Sequence, residues 1–182
     1  AKARLTGTDL ALGDKRLDRA LAGTSEFDLS VRRDTTGTEL RRLSVEAGPL
    51  SARAAGTLAT GAADLVAEAR LSDLTRLDPA WRGAAEATAF WRVTDGDARL
   101  SLEARTTDLS LGQPDLDQFV AGDSRFALAA TGAPDGLWLE QAVLDTPLVD
   151  ADLTGSRTDG ARRVEGRAEL ADLSRLVPGY PG

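Results

Sequence analysis

The chain has 182 residues, of which 42% are hydrophobic, with no histidine, no cysteine and a formal net charge of −7. This hydrophobic share is sufficient for a buried core, whereas the missing side chains exclude disulfides, His- or Cys-based zinc sites and nucleophile systems built on Ser-His-Asp or Cys-His. The acidic balance argues against nucleic acid as a partner, because phosphates require a basic face, and no apolar run approaches the roughly 20 residues of a membrane-spanning helix.

Short helices are predicted at two places, each between a suitable start and a suitable stop. The first covers residues 14–22, where Asp14 can act as the N-cap and Gly23 can end the helix, since glycine tolerates the left-handed conformation. The second begins with Pro114 at its first position and ends at Gly122. Single helical turns, each followed by a proline, are predicted at two further places: 72–77 and 171–176.

Strands are the dominant prediction, because apolar and polar residues alternate with a period of two in much of the chain. The clearest segments are 26–32, 64–71, 97–105, 149–154 and 163–170. Turn signals such as Asp95-Gly96 and Asp159-Gly160 separate neighbouring segments and favour tight hairpins. The pattern therefore predicts an all-β fold of about eight to ten short strands, mostly antiparallel, in a sheet that is apolar on one side only.

The apolar positions of these strands are expected to share one inner surface, because side chains of a strand alternate between its two faces. Trp91 continues one such apolar line, whereas Glu103 and Glu165 fall on the charged side, where they are poor candidates for a glycosidase acid. Asp95 and Asp97 belong to a hairpin turn and lack the further oxygen ligands of a calcium loop. No catalytic, cofactor-binding or metal-binding residue is predicted. The predicted lining residues are Phe27, Leu29, Val31, Leu65, Leu71, Trp91, Leu100, Leu102, Phe126, Leu128, Val149, Leu153, Val164 and Leu170.

The sequence also repeats itself with an offset of 99 residues. Residues 8–29 and 107–128 carry the same residue type at more than half of their positions, and the offset persists downstream to Pro79 and Pro178. Repeats of this kind are typical of stacked, similar units that contact their neighbours. We therefore interpret 1–182 as a single continuous β-repeat fragment of a larger protein. Its two units are a first repeat, 1–101, and an incomplete second repeat, 102–182.

Two kinds of short half-turn motif interrupt the series of strands. The first, LxxLLxG-like, covers 17–23, and the second, xxDLSxLxP-like, covers 69–79 and recurs over 168–178. Arrays of short amphipathic strands with these punctuations resemble the TamB/AsmA-like envelope protein family over essentially the whole chain. The resemblance implies a β-taco-like fold: a long, curled sheet of two repeats of about 99 residues, with short helical turns and an open apolar trough.

The resemblance also implies a function without catalysis or cofactors. Proteins of this family are anchored in the inner membrane of Gram-negative bacteria and extend through the periplasm. The trough would carry phospholipid acyl chains between the inner and outer membranes, or assist the assembly of outer-membrane proteins together with a TamA-like outer-membrane partner. Neighbouring repeats of the same chain would adjoin this segment.

Two other classes of function remain open at this stage. One is a structural β-repeat of a bacterial surface or adhesin protein, in which the apolar side would be a filled, dry core. The other is an enzyme or a sugar-binding module, which would need a cleft with convergent polar groups. The inner face distinguishes the three, because it would be open and apolar, filled, or polar.

Overall fold

The computed structural model describes residues 1–158 and 160–171. In this part of the chain eleven strands form one open, curled antiparallel sheet, and their order in the sheet equals their order in the sequence. The strands are β1 (Lys2–Thr8), β2 (Thr24–Arg33), β3 (Thr38–Ala47), β4 (Leu50–Ala59), β5 (Ala62–Leu71), β6 (Arg82–Thr94), β7 (Asp97–Ser110), β8 (Ser124–Ala133), β9 (Gly136–Asp145), β10 (Val149–Thr158) and β11 (Ala161–Leu170). The helical elements are α1 (Lys15–Ala20), α2 (Pro114–Val120) and a 3₁₀ turn (Leu74–Arg76).

The predicted all-β fold class is confirmed, but the predicted number of strands is too low. Two of the strands without a clear alternation, β3 and β9, contain β-bulges. In β3, Ser30 pairs with Arg42 and Val31 pairs with Leu40, so that Arg41 is an extra residue; Glu140 is the extra residue of β9. A bulge shifts the side-chain alternation by one residue, and this hides the period of two in the sequence.

Consecutive strands of the sheet run in opposite directions, so the connections alternate between its two ends. All helical elements lie at one end, here called the helix end, whose connections are 9–23, 48–49, 72–81, 111–123 and 146–148. The opposite end, called the turn end, has the short hairpins, of which Asp95-Gly96 is one. Both of its residues have positive φ, 52° and 93°, as a two-residue hairpin turn requires.

The helices begin where the sequence predicts but end earlier: α1 ends at Ala20 rather than at residue 22, and α2 ends at Val120, two residues before the predicted stop at Gly122. The side chain of Asp14 accepts hydrogen bonds from the N–H groups of Arg16 and Leu17, and Gly23 follows α1 with a φ of 89°. Helix α2 begins at Pro114, which needs no N–H partner at that position. Of the turn predicted over 171–176, residues 172–176 lie outside the described part of the chain.

A small core lies under the helical elements. The Ser25 hydroxyl, fully buried, donates to the carbonyl of Leu21 at 3.0 Å, and the Arg76 guanidinium donates to the carbonyl of Ala22 at 2.7 Å. The buried hydrophobic residues are Ala20, Leu21, Ala47, Ala63, Leu71, Leu74 and Leu148. All but Ala63 lie at the helix end, so a second layer covers the sheet only there in the described part of the chain.

Local structure recurs at the 99-residue offset. Strands β10 and β11 begin and end 99 residues after β4 and β5. Asp9 and Asp108 have φ values of 51° and 52°, and their N–H groups donate to the carbonyls of Gly23 and Gly122 at 2.9 and 3.0 Å. The bulged residues of β3 and β9, Arg41 and Glu140, are separated by the same offset.

One carboxylate at the helix end makes the stability of the fold depend on pH. The pKa of Asp117 lies below its ordinary value, first because the Leu111 N–H donates to the carboxylate at 2.6 Å, and also because the Ser110 hydroxyl donates at 2.8 Å; partial desolvation opposes these effects. A carboxyl whose folded pKa is lowered stabilises the fold above its unfolded pKa, and this stabilisation is lost as the pH falls through the folded pKa.

We therefore expect Asp117→Asn to weaken the dependence of stability on pH below about pH 4, the ordinary range of an aspartate pKa. Chemical denaturation of both proteins between pH 3 and pH 7 measures this. Asp115→Asn is the control, because it removes a neighbouring carboxylate that accepts neither of these two hydrogen bonds. An identical pH profile of Asp117→Asn and the wild type would contradict the assignment.

Candidate functional site

The strand register sorts the side chains into rows that cross the sheet, because directly paired residues of an antiparallel ladder point to the same side. Three successive rows in the middle of the sheet are here called the central rows. The first is Leu5, Phe27, Val45, Ala52, Ala69, Ala87, Ala104, Phe126, Leu144, Ala151 and Ala168. The second is Ala3, Leu29, Leu43, Ala54, Ala67, Ala89, Leu102, Leu128, Ala142, Leu153 and Gly166. The third is Val31, Leu40, Gly56, Leu65, Trp91, Leu100, Ala130, Leu139, Gly155 and Val164.

Every position of the central rows is apolar or glycine. Sequence alternation within a single strand predicts one apolar side, but it does not fix how neighbouring strands align. Here the register aligns the apolar sides of all eleven strands, so that the sheet has one continuous apolar face. A slip of one residue in any strand would place charged side chains on this face.

All fourteen predicted lining residues lie on the apolar face. Eleven of them belong to the central rows, and the other three, Leu71, Val149 and Leu170, lie one row closer to the helix end. Sequence reasoning missed other large residues of the same face, including Leu40 and Leu139, because each lies beside a bulge. The 99-residue offset between these two leucines was the available signal.

The apolar face is uncovered over most of its area. Leu100 is 39% exposed, Trp91 42% and Val164 72%, and no residue of the central rows is among the buried residues. Isolated exposed apolar side chains are normal in soluble proteins, but a contiguous exposed patch marks a surface that binds something apolar. The described part of the chain therefore has an apolar surface without a covering layer.

The relief of this face comes from the sizes of its side chains. Strands β4, β5 and β6 contribute a strip of alanines to the first two central rows: Ala52, Ala54, Ala67, Ala69, Ala87 and Ala89. Larger side chains flank this alanine strip at Leu43 and Val45 of β3 and, in the second row, at Leu102 of β7, whereas Ala104 of β7 continues the strip in the first row. A side chain that ends at Cβ leaves the surface lower there than the neighbouring leucines do.

The opposite face of the sheet carries the charges. Arg92 and Asp64 are 2.6 Å apart on neighbouring strands, and looser cross-strand pairs lie at 3.4 to 3.9 Å. These pairs are exposed, so each contributes at most about 1 kcal/mol. Glu103 and Glu165 lie on this face, as the sequence predicts.

Surface depressions occur among the charged side chains. Three of them have volumes of about 320 to 430 Å³, and Arg53, Glu68, Arg70 and Arg125 are among their lining residues. Sequence analysis did not anticipate these depressions. The exposure of Leu100, Trp91 and Val164 makes the apolar face an open surface instead, unlike the concave pockets that enclose one compact molecule.

The described residues include no group of three or more Asp or Glu side chains placed to hold a metal ion. Across residues 1–158 and 160–171, no helix has the length and hydropathy needed to cross a membrane. Comparison of the chain with protein-family models, curated proteins and solved structures found no match in any of the three. The apolar face is thus the feature from which a function has to be inferred.

Proposed function

We propose that the chain is a non-enzymatic segment of a TamB/AsmA-like envelope protein, anchored in the inner membrane and located in the periplasm. In this proposal the apolar face is the lining of a trough that carries phospholipid acyl chains between the inner and outer membranes. The observation that supports it is the continuity of the central rows, two of which cross all eleven strands and one of which crosses ten, with only apolar residues or glycine at every position.

An acyl chain suits such a surface for energetic reasons. Burial of each CH₂ group contributes roughly 0.8 kcal/mol and requires no polar partner at a fixed position. Neighbouring strands are about 4.8 Å apart, so rows that cross eleven strands extend for roughly 48 Å, longer than one acyl chain. A uniform apolar chain can move along such rows without losing specific contacts, whereas a compact polar ligand cannot.

The alternative of a structural repeat with a filled core receives less support. A filled core requires a second layer against the apolar face, and protein interiors are closely packed. Leu100 and Val164 instead remain 39% and 72% exposed, and their face is uncovered over most of the described sheet. An accessory role in outer-membrane protein assembly, with a TamA-like partner, belongs to the same proposal and differs from lipid transport only in the cargo.

Site-specific photocrosslinking in a Gram-negative host separates these cargoes. Leu102 and Glu103 are neighbours in β7 but lie on opposite faces, so a photoreactive residue at each position forms a matched pair. We expect the residue at position 102 to capture phospholipid and the residue at 103 to capture none. If the residue at position 102 captured only strands of outer-membrane proteins and no lipid, the function would be assembly of these proteins rather than lipid transport. No capture of either at 102 would contradict the proposal.

A further inference from the structure

A pair of arginines lies on the apolar face at the turn end of the sheet, and a third arginine, Arg33 of β2, lies farther along the same row. One row beyond the central rows, toward the hairpins, Arg157 of β10 pairs directly with Arg162 of β11, and on its other side Arg157 pairs with Leu137. This turn-end row consists of Arg33, Thr38, Leu58, Ala63, Val93, Ala98, Gly132, Leu137, Arg157 and Arg162. The arginine pair therefore borders the apolar surface directly.

This arrangement is unfavourable for the sheet alone, because like charges directly opposite each other on neighbouring strands repel. Among the described residues, neither the turn-end row nor the central rows include an Asp or a Glu that could offset the charge. The pair of Arg92 and Arg99 on the charged face differs in this respect, since Asp64 lies 2.6 Å from Arg92.

The repeat provides an internal comparison for this pair. At the offset of 99 residues, the positions of Arg157 and Arg162 correspond to Leu58 and Ala63, which also pair directly with each other. At these two positions the first repeat has apolar side chains and the second repeat has two guanidinium groups, although Arg33 and Thr38 of the first repeat also belong to this row. The backbone accepts apolar residues here, so the strand fold does not require the arginines.

We infer that Arg157 and Arg162 bind the phosphate of an amphiphile whose acyl chain lies on the central rows, an inference that rests on the proposed function. Guanidinium groups bind phosphate through paired, charge-assisted hydrogen bonds. Leu137 beside Arg157 is 54% exposed, and Val164 of the adjacent row is 72% exposed, so apolar surface begins next to the cations. The small core closes the helix end, and the phosphate accordingly lies at the turn end.

The inference predicts that the chain distinguishes decyl phosphate from decanol. Titration calorimetry below the micelle concentration should show about tenfold or tighter binding of decyl phosphate, since a hydrogen bond to a charged group contributes more than a neutral one. The variant Arg157→Leu/Arg162→Ala, which installs the residues of the first repeat, should bind decyl phosphate only as well as decanol and should leave decanol binding unchanged. Raising the salt concentration should weaken only the binding of decyl phosphate to the wild type.

The control variant is Arg92→Leu/Arg99→Ala, which removes an equal charge from the opposite face at the same end of the sheet; circular dichroism verifies that both variants fold. Retained selectivity in this control supports the inference. Equal binding of the two ligands by the wild type, or an equal loss in both variants, would overturn the inference and leave the apolar site intact. If inorganic phosphate bound as tightly as decyl phosphate, the arginine pair would be a site for free phosphate, and the inference that it binds an amphiphile would be overturned. Absence of binding by both decanol and decyl phosphate would overturn the proposed function as well.

Discussion

Gly83→Ala is expected to lower the free energy of unfolding by about 3 kcal/mol or more, because it combines backbone strain with a collision against a neighbouring strand. Gly83 has a φ of 97° and lies where the register of β6 and β7 shifts. A Cβ at this position would collide with the carbonyl oxygen of Thr107 and would lie 2.5 Å from that of Asp108. Urea denaturation followed by circular dichroism measures the difference.

Gly61→Ala is the matched control for this substitution. Gly61 also has a positive φ, 73°, but a Cβ there would have no atom within 4 Å. Its replacement should therefore cost only about 1 kcal/mol, the cost of the left-handed conformation itself. Equal destabilisation by the two substitutions would show that close approach of β6 to β7 at Gly83 does not limit the fold.

Leu102→Asp is expected to weaken the binding of a fluorescent fatty acid by about 30-fold or more, because burying an unpaired carboxylate against an acyl chain costs several kcal/mol. Leu102 lies in the second central row beside the alanine strip, and it is only half-buried. The thermal stability of the chain should consequently change much less than its affinity. Fluorescence titration and thermal denaturation of the same samples separate the two effects.

Glu103→Lys provides the comparison on the charged face. Glu103 lies 3.7 Å from Arg125 in an exposed pair, so its replacement should leave both affinity and stability close to those of the wild type. If Leu102→Asp and Glu103→Lys were tolerated equally in both measurements, the apolar face would have no role in binding.

Much of the fold follows from the sequence because the local signals are strong. The alternation from Leu65 to Leu71 correctly predicts both the strand β5 and its apolar side, and Asp14 correctly predicts the start of α1. The strand β3 is different, since the bulge at Arg41 places Leu40 and Leu43 on one face although they are three positions apart in the sequence. A bulge depends on pairing with the neighbouring strand, and a single strand's pattern cannot reveal it.

The candidate site, like the fold, could be predicted only in part from the sequence. The predicted lining residues come from strands such as β5 and β7, whose alternation in the sequence reports which side is apolar. The arginine pair could not be predicted, because Arg157 and Arg162 become neighbours only when the hairpin between β10 and β11 sets their register. The exposure of the apolar face could not be predicted from the sequence either, since alternation alone does not show whether a second layer covers a face.

Native mass spectrometry of the chain, produced in a Gram-negative host and purified without detergent, tests the central claim most directly. Phospholipid bound to the apolar face should appear as adducts on the folded chain, and Leu102→Asp should remove these adducts while Glu103→Lys retains them. A wild-type chain that is folded and free of lipid in this measurement would contradict the account.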